Sequence, residues 1–243
     1  MRKQIHILVA VIMAALTVIY ITGCKKSCAQ LNGQCIDNNI LEGSIVTFGN
    51  YPQATSSPEP LQWRVLLIDR ANKRVLLLSE YVIDIKPYNN TKIDITWEKC
   101  TLRTWLNDEF KNAAFSTGEQ QQIITQHLKT LNNPRFNTPG GKDTNDDVFL
   151  LSLEEADGIR LFIDNESRKA IATAHAIKNS AYSCTNENDC IAWWLRSPGL
   201  RPYNAAYVDG VGSFARIGHL VNEIKNEVEK SSMGVRPALW VKY

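Results

Sequence analysis

The sequence predicts an α+β domain. Short apolar strands and short amphipathic helices alternate along it, no internal repeat appears, and no Pro/Ser-rich linker or charge block divides it after Asn39. The residues ahead of this domain are of another kind. The expected layout is a signal peptide over residues 1–23, a tether over 24–41 and a single domain over 42–243.

The N-terminal segment reads as an export signal. Arg2 and Lys3 form a positive start, Ile5 to Tyr20 is almost wholly apolar, and small residues precede Cys24. The apolar run is shorter than the ~20 residues that comfortably span a bilayer, which favours a cleaved signal over a permanent helix. Ile21-Thr22-Gly23-Cys24 resembles the bacterial lipobox. That resemblance implies cleavage before Cys24 and diacylglycerol on its sulfur, so Cys24 is the expected lipidation site. Several acyl chains on one residue hold a protein to a membrane far better than the marginal binding of one. The expected location is the bacterial cell membrane or outer membrane, on the extracytoplasmic side.

Loss of Arg2 and Lys3 with the signal lowers the formal net charge from +2 to zero. A neutral protein offers no global electrostatic case for nucleic acid as a partner. The remaining 220 or so residues are enough to bury a substantial core. Lys25 to Asn39 is polar and irregular, as a tether would be.

Six cysteines form an even set, but lipid on Cys24 leaves five. Cys28 with Cys35, and Cys184 with Cys190, are each close enough in sequence to close a small loop by a disulfide in an oxidising compartment. Cys100 is then single. It opens a helix after Trp97-Glu98-Lys99, where a buried structural thiol is the expectation, since reactivity would need a lowered pKa.

The elements come in this order. Ser44 to Phe48 is a strand. Trp63–Asp69 and Arg74–Ser79 form a hairpin around Arg70-Ala71-Asn72-Lys73, and their runs Val65-Leu66-Leu67-Ile68 and Val75-Leu76-Leu77-Leu78 are apolar on both faces, as in a central, covered pair. Leu102, Leu106 and Phe110 recur at helical spacing beside Trp105. Ser116 and Glu119 make a capping box for a second helix carrying Ile124, Leu128 and Leu131. A loop rich in Asn, Pro and Gly spans Asn132 to Asp147, Val148 to Leu151 is extended, and Ser152 with Glu155 caps another helix. A further helix covers Arg168 to Lys178, and Trp193 to Tyr243 divides at its glycines into several short strands.

A series of motifs carries a family resemblance. Phe48-Gly49-Asn50-Tyr51-Pro52-Gln53, Trp63-Arg64-Val65-Leu66, Leu77-Leu78-Ser79-Glu80-Tyr81, Thr96-Trp97-Glu98, Leu102-Arg103-Thr104-Trp105-Leu106-Asn107, Val148-Phe149-Leu150-Leu151-Ser152, Trp193-Trp194-Leu195-Arg196-Ser197-Pro198-Gly199 and Gly234-Val235-Arg236-Pro237-Ala238-Leu239 occur in this order. They resemble an uncharacterised bacterial domain family common in secreted and lipid-anchored proteins, over about Glu42 to Tyr243. More loosely, the closing section is similar to the C-type-lectin-like fold of the formylglycine-generating enzymes and of variable ligand-binding domains. This second resemblance implies a twisted, mainly antiparallel sheet with flanking short helices and long loops. Fold kinship does not decide function.

Candidate sites are therefore argued from the side chains. Trp194, Arg196, Tyr203 and Tyr207, with Arg236, gather aromatic faces and guanidinium groups of the kind that bind sugars or peptides. The competing reading packs both tryptophans of the strand in the core, with Arg196 satisfying buried carbonyls or an acid and Arg236 locking the sheet end through backbone carbonyls. Trp193 and Trp194 alternate on a strand, so at most one of them faces a ligand. Asp143, Asn145 and Asp147, with Glu154, sit at positions one, three, five and twelve of a calcium-loop pattern. Val148 stands where the sharp turn needs Gly, which argues against an EF-hand and leaves only a weak calcium candidate. The sugar-coordinating triplets of calcium-dependent lectins are absent from the sequence.

The formylglycine-generating resemblance implies a copper ion on a cysteine pair upstream of the terminal Arg segment. Cys184 and Cys190 hold that place, although Thr185 to Asp189 is one residue longer than the enzyme's spacing. His127, His175 and His219 make no zinc motif, and no nucleophile elbow appears. The expected function is non-catalytic binding of a glycan or protein at the envelope, through the loops around Trp194–Tyr207 and His219–Lys230. A copper-dependent oxidase and a structural envelope module are the alternatives.

Overall fold

The hairpin occupies the centre of a five-stranded antiparallel sheet. In this computed structural model Ile45–Pro52, Pro58–Asp69, Arg74–Ser79, Ala238–Lys242 and Ile123–Ile124 lie side by side in that order. The structure describes residues 41–54, 56–158, 160–178, 190–221 and 233–243, together with the backbone of strands Ala29–Leu31, Gln34–Ile36, Ile224–Lys225 and Glu229–Lys230. The expected signal, Cys24, Cys28 and Cys184 lie outside these residues. No described helix is long and apolar enough to cross a membrane.

A second five-stranded sheet orders Phe214–Leu220, Asn204–Val208, Trp193–Pro198, Met233–Val235 and Asp84–Lys86. Its pairings are antiparallel except that of Trp193–Pro198 with Met233–Val235. The molecule is thus mixed α+β with mostly antiparallel sheets and few, short helices.

The chain passes between the sheets twice at one place. Residues 80–83 lead from the end of the hairpin to Asp84–Lys86, and Arg236-Pro237 lead back from Met233–Val235 to the C-terminal strand. The two crossings are stitched together by Ser79 N–H to the Pro237 carbonyl at 2.9 Å and Ile83 N–H to the Val235 carbonyl at 3.0 Å. Arg236, only 1% exposed, donates from Nε to the Ser79 carbonyl at 2.9 Å, from Nη1 to the Arg168 carbonyl at 3.1 Å and from Nη2 toward the Glu80 carbonyl at 3.5 Å. Its guanidinium carbon stands 5.2 Å from the Trp193 ring centroid. Burial pushes the guanidinium down to about 10, so it is still charged at neutral pH. Proline suits the next position because a residue between two ladders has no use for an N–H. Gly234 is required by crowding, since a Cβ there would come within 2.7 Å of Val82 and 2.9 Å of the Ala192 carbonyl.

Helical and loop segments close the core in the same way, with polar groups of the motifs satisfying buried backbone. Asp146, 1% exposed, accepts from Trp97 Nε1 at 2.8 Å, Arg103 Nε at 2.6 Å and Thr144 Oγ1 at 2.8 Å. Asn107 imitates a strand partner, donating to the Val148 carbonyl at 2.8 Å and accepting from the N–H groups of Asp147 and Val148 at 2.9 and 3.1 Å. The helix holding it runs through Thr101–Trp105, a π turn over Leu106–Phe110, and Lys111–Ala114.

Three sequence expectations are corrected. The Ser116–Glu119 capping box forms, but its helix is only Thr117–Gln120, and Ile123–Ile124 and Gln126–Leu128 are strands. The β-branched pair Ile123-Ile124 takes the open edge beside Trp240 and Val241, and that pairing overrides the helical spacing of Ile124, Leu128 and Leu131. The loop Asn132–Asp147 contains a strand, Thr144–Asp146, paired with Gln126–Leu128. Val148–Leu151 is extended as expected, meeting the first sheet through the bridge of Phe149 to Ala238 and the second where the Leu151 carbonyl accepts from Arg196 N–H at 2.9 Å. The expected helix over Arg168–Lys178 is two short ones, Asn165–Arg168 and Ala174–Lys178, split where Ile171 and Ala172 bridge to other segments.

Replacing Arg236 by Met keeps much of the volume and leaves buried carbonyls without donors. The expected loss is about 3 kcal/mol of unfolding free energy, read as a lowered urea midpoint. An unchanged midpoint would mean that the crossings hold without the guanidinium.

Candidate functional site

The six tryptophans sort themselves by hydrogen bonding. Trp63, Trp97, Trp193 and Trp194 are buried, and their indole N–H groups donate to the Phe48 carbonyl, Asp146, the Arg168 carbonyl and the Lys86 carbonyl at 2.7, 2.8, 3.1 and 2.9 Å. Trp105 and Trp240 are half-buried and pack against the core from its margin.

This sorting moves the site away from Trp194. Trp193–Pro198 is the middle strand of the second sheet, covered on both faces, so neither Trp193 nor Trp194 reaches solvent. Trp194 packs edge-on to Tyr88 at 5.6 Å between ring centroids. Tyr203 and Tyr207 are half-buried, with Tyr207 6.2 Å from His219. Arg236 is enclosed at the sheet crossings, far in role from a ligand-facing group. The five candidates are thus not brought to one open face. Part of the expected loop His219–Lys230 lies outside the described residues.

Arg196 belongs to a different constellation. Its Nη1 donates to the Leu150 carbonyl at 2.7 Å, and its two terminal nitrogens grip both oxygens of Glu155, the Nη2 contact being 2.9 Å. Glu155 also caps its own helix by accepting from Ser152 N–H at 2.8 Å. The Arg196 Nε–H is buried and lacks a partner among the described residues, and the guanidinium carbon is 5.9 Å from the Phe149 ring. This pair forms the inner end of a groove of about 530 Å³.

The groove floor is a cross-strand row of the first sheet. Leu67, Leu76 and Trp240 are neighbours in register, and Arg74 lays its guanidinium 4.5 Å from the Trp240 ring centroid while bonding to Asp69 at 2.9 Å. One wall comes from Ser152 to Gly158 with Leu161, the other from Gln126 to Leu131. Leu131 is 54% exposed at the rim. Arg74 is paired with Asp69 and Arg196 with Glu155, so Lys129 and Arg160, against Glu154, set the charge of the rim.

The weak calcium candidates line up along an edge. Asp143 and Asn145 flank His127, at 3.2 Å to Nε2 and 3.0 Å to Nδ1, and Asp147 meets Lys111 at 3.0 Å and accepts from Thr125. Asn145 lies on the strand Thr144–Asp146, and the carboxylates of Asp143 and Asp147 are engaged by His127 and Lys111 respectively. Among the described residues no group of three His, Cys, Asp or Glu is placed to hold a metal. Cys100 and Cys190 form no disulfide, and Cys190 is half-buried. The partner thiols expected for Cys35 and Cys190 lie outside the described residues.

Sequence reasoning passed over Trp240 and Leu131. The signal for Trp240 was present: in Leu239-Trp240-Val241 the flanking residues are core, so strand alternation turns Trp240 to the opposite face.

A family model described as Domain of unknown function (DUF6273) matches residues 72–243, and the chain belongs to that family. No curated protein and no solved structure matches it. The strands Ile45–Pro52 and Pro58–Asp69 precede the matched range, yet Pro58–Asp69 pairs directly with it at Arg74–Ser79 and Ile45–Pro52 joins the same sheet through Pro58–Asp69.

Cys100 offers a pH test of the buried core. Burial raises its thiol from 9.0 to about 12, so the fold favours the protonated form. Its contribution to stability is intact below pH 9.0, where the unfolded thiol is also protonated, and is lost as pH rises toward 12. We expect native protein to resist alkylation at Cys100, and Cys100→Ala to show a flatter fall of the urea midpoint above pH 9.0 than the parent. Rapid alkylation in the native state would contradict this burial.

Proposed function

We propose that this family member is a non-catalytic binding domain of the bacterial cell envelope, held there by lipid on Cys24, and that its groove over Trp240 takes an extended apolar and acidic segment of a partner protein. The observation that carries the reading is the row Leu67–Leu76–Trp240 at the floor of the groove, with Leu67 and Trp240 only half-buried, beneath a rim that carries Lys129 and Arg160. A pocket of this kind, mostly apolar with a few fixed polar groups, falls in the usual size range of about 300–1,000 Å³ for ligand sites. The apolar floor supplies few partners for sugar hydroxyls, which favours a peptide over a glycan. Lys129 and Arg160 are exposed on the rim and suit an acidic flank.

We place the domain with the C-type-lectin-like folds. Support comes from the final strand Ala238–Lys242, which returns to the hairpin near the start of the domain, and from the long irregular stretch between the two sheets. The copper-oxidase alternative depends on Cys184 acting with Cys190, and a structural module would leave the groove empty.

The groove is tested with an array of short peptides rich in Leu, Phe and Asp, probed with the parent protein, Leu131→Glu and Lys129→Glu. Both side chains are exposed, so both variants should fold. Binding by the parent that weakens at least tenfold in each variant, about 1.4 kcal/mol, is expected. Binding that ignores both changes would exclude the groove as the binding site. The anchor is tested in the same preparation, since Cys24→Ser should move the protein from the detergent phase to the aqueous phase; no change of phase would contradict lipidation.

A further inference from the structure

The Arg196 guanidinium presents two forks, and only one of them is filled. The end-on fork of Nη1 and Nη2 grips the two oxygens of Glu155, and the second hydrogen of Nη1 goes to the Leu150 carbonyl at 2.7 Å. The side-on fork consists of Nε–H and the remaining hydrogen of Nη2. Here Nη2 reaches the Lys129 carbonyl only at 3.5 Å, and Nε–H has no partner among the described residues. The donors of a guanidinium lie in one rigid plane, so with the end-on fork clamped on Glu155 the unfilled donor cannot turn elsewhere. Arg196 is 3% exposed, and a buried donor left without a partner destabilises the site until something accepts from it. Arg196 lines the groove, and Lys129, toward which this fork points, belongs to the groove wall. The inner end of the groove is therefore a built site for an acceptor.

Charge decides which acceptor fits. Glu155 already matches the Arg196 cation and keeps 34% of its side chain exposed, with Glu154 beside it in the lining. A second carboxylate on the fork would stand against these two acids, whereas a neutral carbonyl oxygen would not. Glu155 narrows the choice further. An ionised carboxylate offers about four lone-pair sites. Two are taken by Arg196 and one by Ser152 N–H, which leaves Oε1 able to accept from a ligand. A neutral group that accepts through oxygen and donates through nitrogen on the same side is a primary amide, the tip of asparagine and glutamine. Arg196 lies behind Glu155, so a side-chain tip reaches it while the main chain of an extended segment runs over Leu67, Leu76 and Trp240. We infer that the inner end of the groove selects an asparagine or glutamine side chain of the partner segment, which rests on the peptide reading of the groove and adds the residue that fixes the segment's register.

The test selects peptides built from Leu, Phe, Asp, Asn and Gln on the parent protein and discards those that bind Leu131→Glu equally well, so that only groove ligands remain. Each is remade with its asparagines and glutamines exchanged, one at a time, for the matching acid and for leucine, and titrated by fluorescence polarisation. The expected result is one asparagine or glutamine in each ligand whose exchange, for either residue, weakens binding at least about tenfold. In Arg196→Lys, which keeps the charge but lacks the side-on fork, that penalty should disappear. The exchanges leave the protein untouched, so they decide the matter even if Arg196→Lys fails to fold. Groove ligands that contain no carboxamide, that tolerate every exchange, or that bind more tightly as the acid would each overturn the inference and leave the groove reading standing. A folded Arg196→Lys with an undiminished penalty would overturn it too. If no peptide distinguishes the parent from Leu131→Glu, the groove reading falls and this inference falls with it.

Discussion

The structure depends on a buried guanidinium at the point where the chain changes sheets. Two five-stranded sheets of few residues each cannot share a core unless the segments between them are fixed, and those segments carry carbonyls that belong to neither ladder. Arg236 supplies donors to carbonyls of Ser79, Glu80 and Arg168, that is, to the outgoing crossing and to the short helix beside it. Its own neighbours Val235 and Pro237 bond the same crossing through their carbonyls. A lysine could satisfy only a point, whereas the planar fork reaches several carbonyls at once. The energetic return is a defined relation between the sheets, and the site geometry depends on it.

The same logic governs most motif residues. Trp97, Arg103 and Asp146 tie a helix to a strand, Asn107 closes the backbone of Asp147 and Val148, and Tyr88 donates to the Arg196 carbonyl at 3.0 Å. Side chains with large apolar bodies and a polar tip are suited to such places because they bury area and cap a group together. Once they are inside, two tryptophans are left half-buried at the margin of the core. Trp240 lies on the outer face of the last strand, and Trp105 is the one motif tryptophan left at the margin. Both sit under a cation, Arg74 and Lys86, which keeps each ring oriented and partly desolvated.

Much of this was legible in the sequence, and the misreadings have physical causes. The hairpin at Trp63–Ser79 was legible because apolar runs on both faces and a polar turn admit few other arrangements. The capping boxes at Ser116 and Ser152 formed because they need only four residues. The segment beyond the first box was not legible, since Ile124, Leu128 and Leu131 fit a helix as well as a strand until the edge beside Trp240 claims Ile123 and Ile124. Core packing of Trp193 and Trp194 was one of two readings the sequence left open, and what decides it is not local: which strand is central depends on the pairing of Trp193 with Gly234, far along the chain. That Arg196 satisfies buried carbonyls and an acid was among the readings the sequence allowed, but which partners it takes was not legible, because Glu155 and Leu150 come from another part of the chain.

If the Arg236 crossing binds the two sheets into one cooperative unit, neither sheet can open alone. Native-state amide exchange in low urea, followed at Leu77 and Val241 in the first sheet and at Trp193 and Val208 in the second, reads this at both ends of the crossing. All four amides should open together in the parent protein, with the free energy of global unfolding. Exchange of the second sheet through a separate opening of lower free energy, with the first still protected, would show that the guanidinium does not couple them.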